Sequence, residues 1–433
     1  MLLPHGCRVA MCKNGFSVIK KSGRVFRSLR TSLAPALFAS SCLRGTMTHS
    51  TMSITTPAWM PVLAAVGDNS QPGVDPKCVV RIVSYNILAQ VYVKSVNFPT
   101  SPRASLRWKN RSEAVVSRLL SLDADLLCLQ EVDEFDTFYK QALRRAGYES
   151  IYIQRGNQKR DGCCIFFRDS KVSLLTNEVI DYNDLVPPLP EDDTQGGIAE
   201  DSGGNNAQER GDLNDVRVRL QRDCVGIIAA FRPVDAPTRI LIVANTHIFW
   251  DPVLMDVKLA QVRYLADRLL AFQKRIAEEF DIEPLLLVAG DFNSLPGDTV
   301  YNYVTSGVDQ AVKVNAVENM DTVIGSGLSI SPEHGLPVEL DEAEGECMIE
   351  FVGKFPLPVV SLYAFVDKEP PATNYTHNFV GTLDYIFFIP SRHLKAKSLL
   401  ALPPRDAPEV VTGLPNHRHP SDHLPIGSDF EIY

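Results

Sequence analysis

The chain has 433 residues, 45% apolar and 22% charged, which is longer than one compact core usually requires and ordinary in composition for a globular enzyme. No apolar run approaches the ~18–20 residues that cross a bilayer, and the nine cysteines show no CxxC spacing, so neither a membrane contact nor a zinc or disulfide framework is expected. Net charge is −9, and an acidic body excludes nucleic-acid binding through a broad positive surface, leaving only local, metal-centred contact.

Residues 1–67 form the first element, with eight Lys or Arg and no Asp or Glu, so residues 68–433 carry −17. The stretch KKSGRVFRSLRTSLAPALFASSCLR (20–44) has the composition of a transit peptide, with the mitochondrion as destination. Translation from Met47 or Met52 would give a cytoplasmic and nuclear protein instead. Short apolar strands alternating with helices begin near residue 79, and residues 68–433 are read as one catalytic domain. VVRIVSYNILA (79–89) reads as a buried strand, WKNRSEAVVSRLLSL (108–122) as a helix and ADLLCLQEV (124–132) as the next strand. DTFYKQALRRAG (136–147) predicts a helix ending on a left-handed Gly147. Strands follow at 162–168, 224–232 and 239–248, then a long amphipathic helix at 255–280. Further strands are expected at 285–293, 383–389 and 424–432. Two stretches break the rhythm, 186–215 and 314–350, both read as flexible acidic surface inserts.

The informative polar residues stand at strand ends. Asn86 lies in the first strand and Glu131 closes LLCLQE. His247 closes LIVANTH, Asp291 and Asn293 close LLLVAGDFN, and Asp384 opens DYIFF. Asp422 and His423 precede the last strand. Any one of them reads equally well as a turn or cap residue. Their convergence at the mouths of apolar strands, where a rigid sheet fixes them yet solvent reaches them, points to a site. Mg²⁺ takes hard oxygen ligands, and Glu131 with the amide of Asn86 suits it, with Mn²⁺ able to substitute. Phosphate esters repel attacking anions, so metal, amide and imidazolium must offset charge in the transition state. His423 beside Asp422 offers an imidazolium, Asp291 a group to orient or deprotonate water, and Asn293 a hold on a phosphate oxygen.

Asn86 in SYNILA, Glu131 in LQEV, His247 in ANTH, GDFNS (290–294), LDYIF (383–387) and SDH (421–423) resemble the endonuclease/exonuclease/phosphatase superfamily in order and spacing. YNILAQ (85–90), RDGCCIFF (160–167), HIFWDP (247–252), DVKLAQ (256–261) and LPNHRHPSDHLP (414–425) narrow the resemblance to the deadenylase branch of carbon catabolite repressor, nocturnin and angel proteins. Within it they are nearest the plant members without leucine-rich repeats. The resemblance implies an α/β fold, a four-layer α/β/β/α sandwich of two packed mixed sheets flanked by helices. It implies Mg²⁺ on Glu131, a second ion near Asp291, Asn293 and His423, and Asp384 in support of the histidine or that ion. It places the 3′-terminal adenine near Pro252 and Phe379 and implies shortening of RNA poly(A) tails with release of AMP. No leucine-rich repeat is legible in residues 1–78, so repeat-mediated docking into a large deadenylation complex is not implied. Two alternatives stay open: a nocturnin-like 2′-phosphatase of NADP(H), and a catalytically inactive adaptor.

Overall fold

The structure is a computed structural model that describes residues 56–62, 76–188, 211–307 and 353–433. Its strands run β1 (Trp59–Pro61), β2 (Cys78–Asn86), β3 (Leu126–Gln130), β4 (Tyr148–Gln154), β5 (Gly162–Arg168), β6 (Val172–Asp181), β7 (Val225–Pro233) and β8 (Leu241–His247). They continue as β9 (Leu285–Asp291), β10 (Val360–Ser361), β11 (Asn374–Tyr375), β12 (Val380–Gly381), β13 (Asp384–Phe388), β14 (Leu394–Leu400) and β15 (Ile426–Ile432). One seven-stranded sheet has the order β1-β14-β15-β2-β3-β5-β4, a six-stranded sheet the order β10-β13-β9-β8-β7-β6, and β11 pairs with β12 alone. Both sheets are mixed: β2–β3 and β8–β9 are their parallel pairs, and the other ladders are antiparallel.

Side chains alternate faces along a strand, and here both faces are buried. Along β9, Leu285, Leu287 and Ala289 pack between the sheets, while Leu286 and Val288 face a long helix, Met255–Phe280. Along β2, Val80 and Ile82 enter the same middle core. Val83 and Tyr85 meet Val115 and Leu119 of the helix Trp108–Ser121 on the opposite side. Burial on both faces turns these strands into unbroken apolar runs, which is why they were legible in the sequence. The result is the expected helix–sheet–sheet–helix sandwich.

The sequence pattern does not anticipate the short β1, β10, β11 and β12, nor three longer strands, β4, β6 and β14. β4 and β6 lie at sheet edges, and β6 alternates half-exposed positions around polar ones, so its apolar signal is diluted. β14, LKAKSLL, carries lysines on its open face. The expected helix at 136–147 is split into a π turn, Phe135–Tyr139, and a short helix, Lys140–Arg144, and Gly147 takes the predicted left-handed conformation at φ +85°. β1 falls in the expected leader yet pairs with β14, and the Arg81 guanidinium stacks 4.1 Å over Trp59, so the ordered sheet reaches back to Trp59. Otherwise the leader lies outside the described residues, as do 189–210 of the first insert and all of 314–350. Among the described residues the cysteines are free thiols, and no helix is long and apolar enough to cross a membrane.

Candidate active site

The two parallel pairs end at the same mouth. His247 of β8, Asp291 of β9 and Asp384 of β13 are register partners across three adjacent strands. Counting back by twos from each leads to residues of the middle core, so all three side chains project between the sheets. Asn86, at the end of β2, does so from the facing sheet. One step behind lies a polar floor. The Gln130 amide donates to Asn245 Oδ1 at 2.7 Å and to Ser84 Oγ at 3.2 Å, and Asn245 Nδ2 donates to the carbonyls of Leu129 and Cys164. These bonds tie the sheets together directly beneath the site and satisfy polar groups that would otherwise be costly to bury.

Backbone shape sets the next positions. Gly290 has φ +152°, and a Cβ there would run into the Thr246 carbonyl oxygen of the neighbouring strand, so the GDFN segment requires glycine. Glu131 (φ +56°) and Asn293 (φ +46°) are left-handed non-glycine residues immediately after their strands, conformations that persist only where surrounding bonds fix them. For Asn293 these are its N–H to Asp291 Oδ1 (2.9 Å), its Nδ2 to the Ile248 carbonyl (3.0 Å), and its own carbonyl accepting from Lys258 Nζ at 2.7 Å.

Asn86 joins the two carboxylates. Its Nδ2 donates to Glu131 Oε1 and to Asp291 Oδ2, both at 3.0 Å, while its Oδ1 accepts from the Leu88 N–H. Because the amide oxygen is held by the backbone, Asn86 orients Glu131 and Asp291 as a donor. The amide oxygen keeps one lone pair beyond the Leu88 bond. Glu131 otherwise accepts only from the Ala89 N–H, and burial, with the Asp422 and Asp161 carboxylates, pushes it up to about 8.

His423 corrects the reading from chain proximity and fits the Asp384 support that the resemblance implies. Its carboxylate partner is Asp384, at 2.8 Å from Nδ1, and not the adjacent Asp422, whose side chain lies 3.4 Å from Ser421 Oγ. Neighbouring residues in extended chain point apart, so the histidine reaches β13 while Asp422 adds negative charge near Glu131. Thr373 Oγ1 donates to the same Asp384 oxygen at 2.6 Å. His423 Nε2 stands 3.7 Å and His247 Nε2 3.5 Å from Asp291 Oδ2. Burial alone would lower both imidazoles. For His423 the Asp384 and Asp291 carboxylates overcome it and hold the pKa well above its ordinary value, whereas His247 is left below.

The donor set suits a hard divalent cation. Among the described residues, Asp291, Asp384 and His423 offer atoms within 4.8 Å of one another, the buried Asp384 Oδ1 has no hydrogen-bond partner, and Glu131 has no cationic one. Pro252, after the Asp251 cap, and Phe379 are exposed on separate loops and take no part in this contact network. Lys258, Thr373, Gln130, Asn245 and Ser421 were not singled out by sequence reasoning. All but Thr373 fall in the strings quoted above, in LQEV, ANTH, DVKLAQ and SDH, and none announces there which partner it will hold.

Residues 83–423 match the model of the Endonuclease/Exonuclease/phosphatase family. The chain is 47% identical over 375 residues to carbon catabolite repressor protein 4 homolog 4 of Arabidopsis thaliana, covering 86% of this chain and 82% of that one. It is 27% identical to the CCR4-Not complex 3′-5′-exoribonuclease subunit Ccr4 of Schizosaccharomyces pombe, covering 84% of this chain but only about half, 51%, of that longer protein. Among solved structures, ANGEL2, described as a 2′,3′-cyclic phosphatase, superposes with a TM-score of 0.59 at 25% identity, covering 87% of this chain and 98% of that one. The human nocturnin catalytic domain shares the fold with a TM-score of 0.50 at 21% identity, covering 83% and 96%. The chain therefore belongs to the endonuclease/exonuclease/phosphatase family, among the relatives of the carbon catabolite repressor proteins.

Proposed function

We propose that the protein is a Mg²⁺-dependent 3′-5′ exoribonuclease that shortens poly(A) tails and releases AMP. The observation that carries this reading is the meeting of Glu131, Asp291 and the Asp384–His423 pair at one mouth, in a chain 47% identical to a carbon catabolite repressor homologue. In the reaction water attacks the terminal phosphodiester in line with the 3′-oxygen of the penultimate nucleotide. The P–O3′ bond breaks, the new P–O bond leaves with AMP, and the departing 3′-oxygen takes a proton from solvent to become the 3′-hydroxyl of the shortened RNA. Asp291, aligned by Asn86 and its own turn, orients the water and takes its proton. The His423 imidazolium faces the oxygens on which negative charge grows. Asn293 commits one amide hydrogen to Ile248 and presents the other to a phosphate oxygen. Glu131 and Asp291 would hold the divalent cation, which when bound supplies Lewis-acid polarisation and offsets substrate charge. Pro252 and Phe379 would bracket the terminal adenine, and stacking of about 1–3 kcal/mol per base favours it without a basic surface.

A second reading, cleavage of a ribose phosphate, is favoured by the likeness to ANGEL2. Against its NADP(H) form stands the loop HIFWDPVL (247–254), which brings no Lys or Arg to meet a multiply charged dinucleotide. One experiment separates these readings. The full chain, with and without Mg²⁺, is given three substrates: RNA ending in adenines, RNA ending in a 2′,3′-cyclic phosphate, and NADPH. Stepwise 3′ shortening that stops at non-adenine sequence is expected. Untouched A-tailed RNA alongside hydrolysis of either other substrate would replace the reading, and inertness toward all three would favour an adaptor. The acid-free leader motivates a separate proposal of mitochondrial import, and diffuse fluorescence from residues 1–67 fused to a fluorescent protein would overturn it.

A further inference from the structure

Arg111 lies on the helix Trp108–Ser121, where its sequence context reads as an ordinary charged helix position. It is instead fully buried, and among the described residues it makes no ion pair. Its guanidinium reaches the undersides of the loops that carry the site. Nη1 donates to the Ile87 carbonyl at 2.8 Å and to the Pro420 carbonyl at 3.3 Å, and Nε donates to Gln90 Oε1 at 3.1 Å. Gln90 in turn donates its N–H to Asp133, two residues after Glu131, and its Nε2 to the Leu106 carbonyl. The fork thus joins two loops directly, 86–90 and 420–423, and a third, 131–133, only through Gln90.

What those loops hold makes the fork consequential. The Leu88 and Ala89 N–H groups, directly after Ile87, are the donors that fix the Asn86 amide and Glu131 Oε2. Leu88 has φ +57°, a strained conformation for a branched residue, so the segment keeps that shape only where something beyond local preference enforces it. On the other side, Ser421 Oγ donates to the Asn86 carbonyl at 2.7 Å and accepts from the His423 N–H. The ordinary reading of a buried arginine is core satisfaction. Here every acceptor it takes lies within four residues of a site residue. Its five donors in a fixed plane suit several carbonyls at once, which a lysine cannot reproduce.

We infer that Arg111 is a positioning residue that locks the loop bearing Asn86 to the loop bearing His423, so that the two halves of the hydrolytic site stay in register. The inference rests on the site being hydrolytic and not on which ester it cuts.

The test uses the full chain with Arg111→Met, Arg111→Lys and Ser421→Ala, assayed on whichever ester the parent cleaves. Melting midpoint and calorimetric Mn²⁺ affinity are measured alongside. Misplacement of about 1 Å costs on the order of 10²-fold in rate, so kcat of Arg111→Met should fall about 100-fold with KM within about threefold, and Arg111→Lys about tenfold. Ser421→Ala should lose less in the parent than Arg111→Met does. It should add little on top of Arg111→Met, because both remove the same lock. Mn²⁺ should bind about tenfold more weakly to Arg111→Met. A folded Arg111→Met with kcat within threefold of the parent, or strictly multiplicative losses in the double variant, would overturn the inference. If Arg111→Met does not fold, Arg111→Lys decides: parental kcat refutes the lock, and a tenfold loss at an unchanged melting midpoint supports it. If the parent leaves A-tailed RNA intact, the substrate reading fails by itself. The Mn²⁺ affinity then decides for Arg111, parental affinity overturning the inference.

Discussion

Glu131, reached from the first sheet, and Asp291 with Asp384, on the second, are carboxylates at one mouth with opposite company. Around Glu131 stand an amide, a backbone N–H and two further carboxylates, and the acid is pushed up to about 8. Around Asp291 and Asp384 stand two imidazoles, one of them held charged. One half therefore needs a cation from outside to be ionised at neutral pH, whereas the other carries its own counter-charge. On the proposed hydrolytic reading, metal affinity would rest with Glu131, shared with Asp291, and charge stabilisation in the transition state with His423.

The sharpest way to break that division is to remove each half in turn. Glu131→Ala should lower turnover by more than about 10³-fold and abolish calorimetric metal binding, whereas His423→Ala should cost about as much with the metal still bound. Equal loss of metal affinity in both variants would erase the distinction. Asp384→Asn should lower activity by about 10–100-fold. It also removes the negative charge that raises the His423 pKa, so the alkaline limb of the pH–rate profile should move to lower pH. A limb that stays in place would mean that the pair does not set it.

Next in size is Gly290→Ala. It forces a side chain against the Thr246 carbonyl and should destabilise by about 3 kcal/mol or more, read as a lower melting midpoint. Smaller and pH-dependent is the effect of His419, four residues before His423 and its opposite. Burial, with Arg118, Arg418 and His417 nearby, pushes it down to about 3 from 6.5. Above pH 6.5 neither the folded nor the unfolded state holds the proton. Below it the unfolded chain binds one and the folded chain does not, so stability falls as pH drops toward about 3, by about 1.4 kcal/mol per unit. His419→Gln should flatten that slope in chemical denaturation between pH 6.5 and 4.5. The smallest change is Phe379→Ala, which should relax adenine preference by about 1–2 kcal/mol in kcat/KM while generic hydrolysis persists.

The sequence exposed the strands buried on both faces, and with them the residues at their ends, because both signals are local. Asn86, Glu131, His247, Asp291, Asn293, Asp384 and His423 all ended apolar runs, and they meet. Proximity in the chain does not show pairing. Asp422 is the natural partner for His423 by that signal, yet the partner is Asp384, 39 residues away, which only the family resemblance points to. Asn86 suggested a metal ligand by residue type, and only the Leu88 N–H shows which end of the amide faces the carboxylates. Lys258 and Arg111 sit on helices, where a lone cation reads as solvated until the packing shows it buried.

β15 enters the seven-stranded sheet between β14 and β2, next to the strand that carries Asn86. The ion pair between Arg81 and Asp429 on these two strands spans 348 residues of chain. The first sheet therefore cannot close in order of synthesis. Its third strand in space is its last in time, and His423 reaches Asp384 only once that segment has left the ribosome. A growing chain therefore holds no finished hydrolytic centre until its last strands are made.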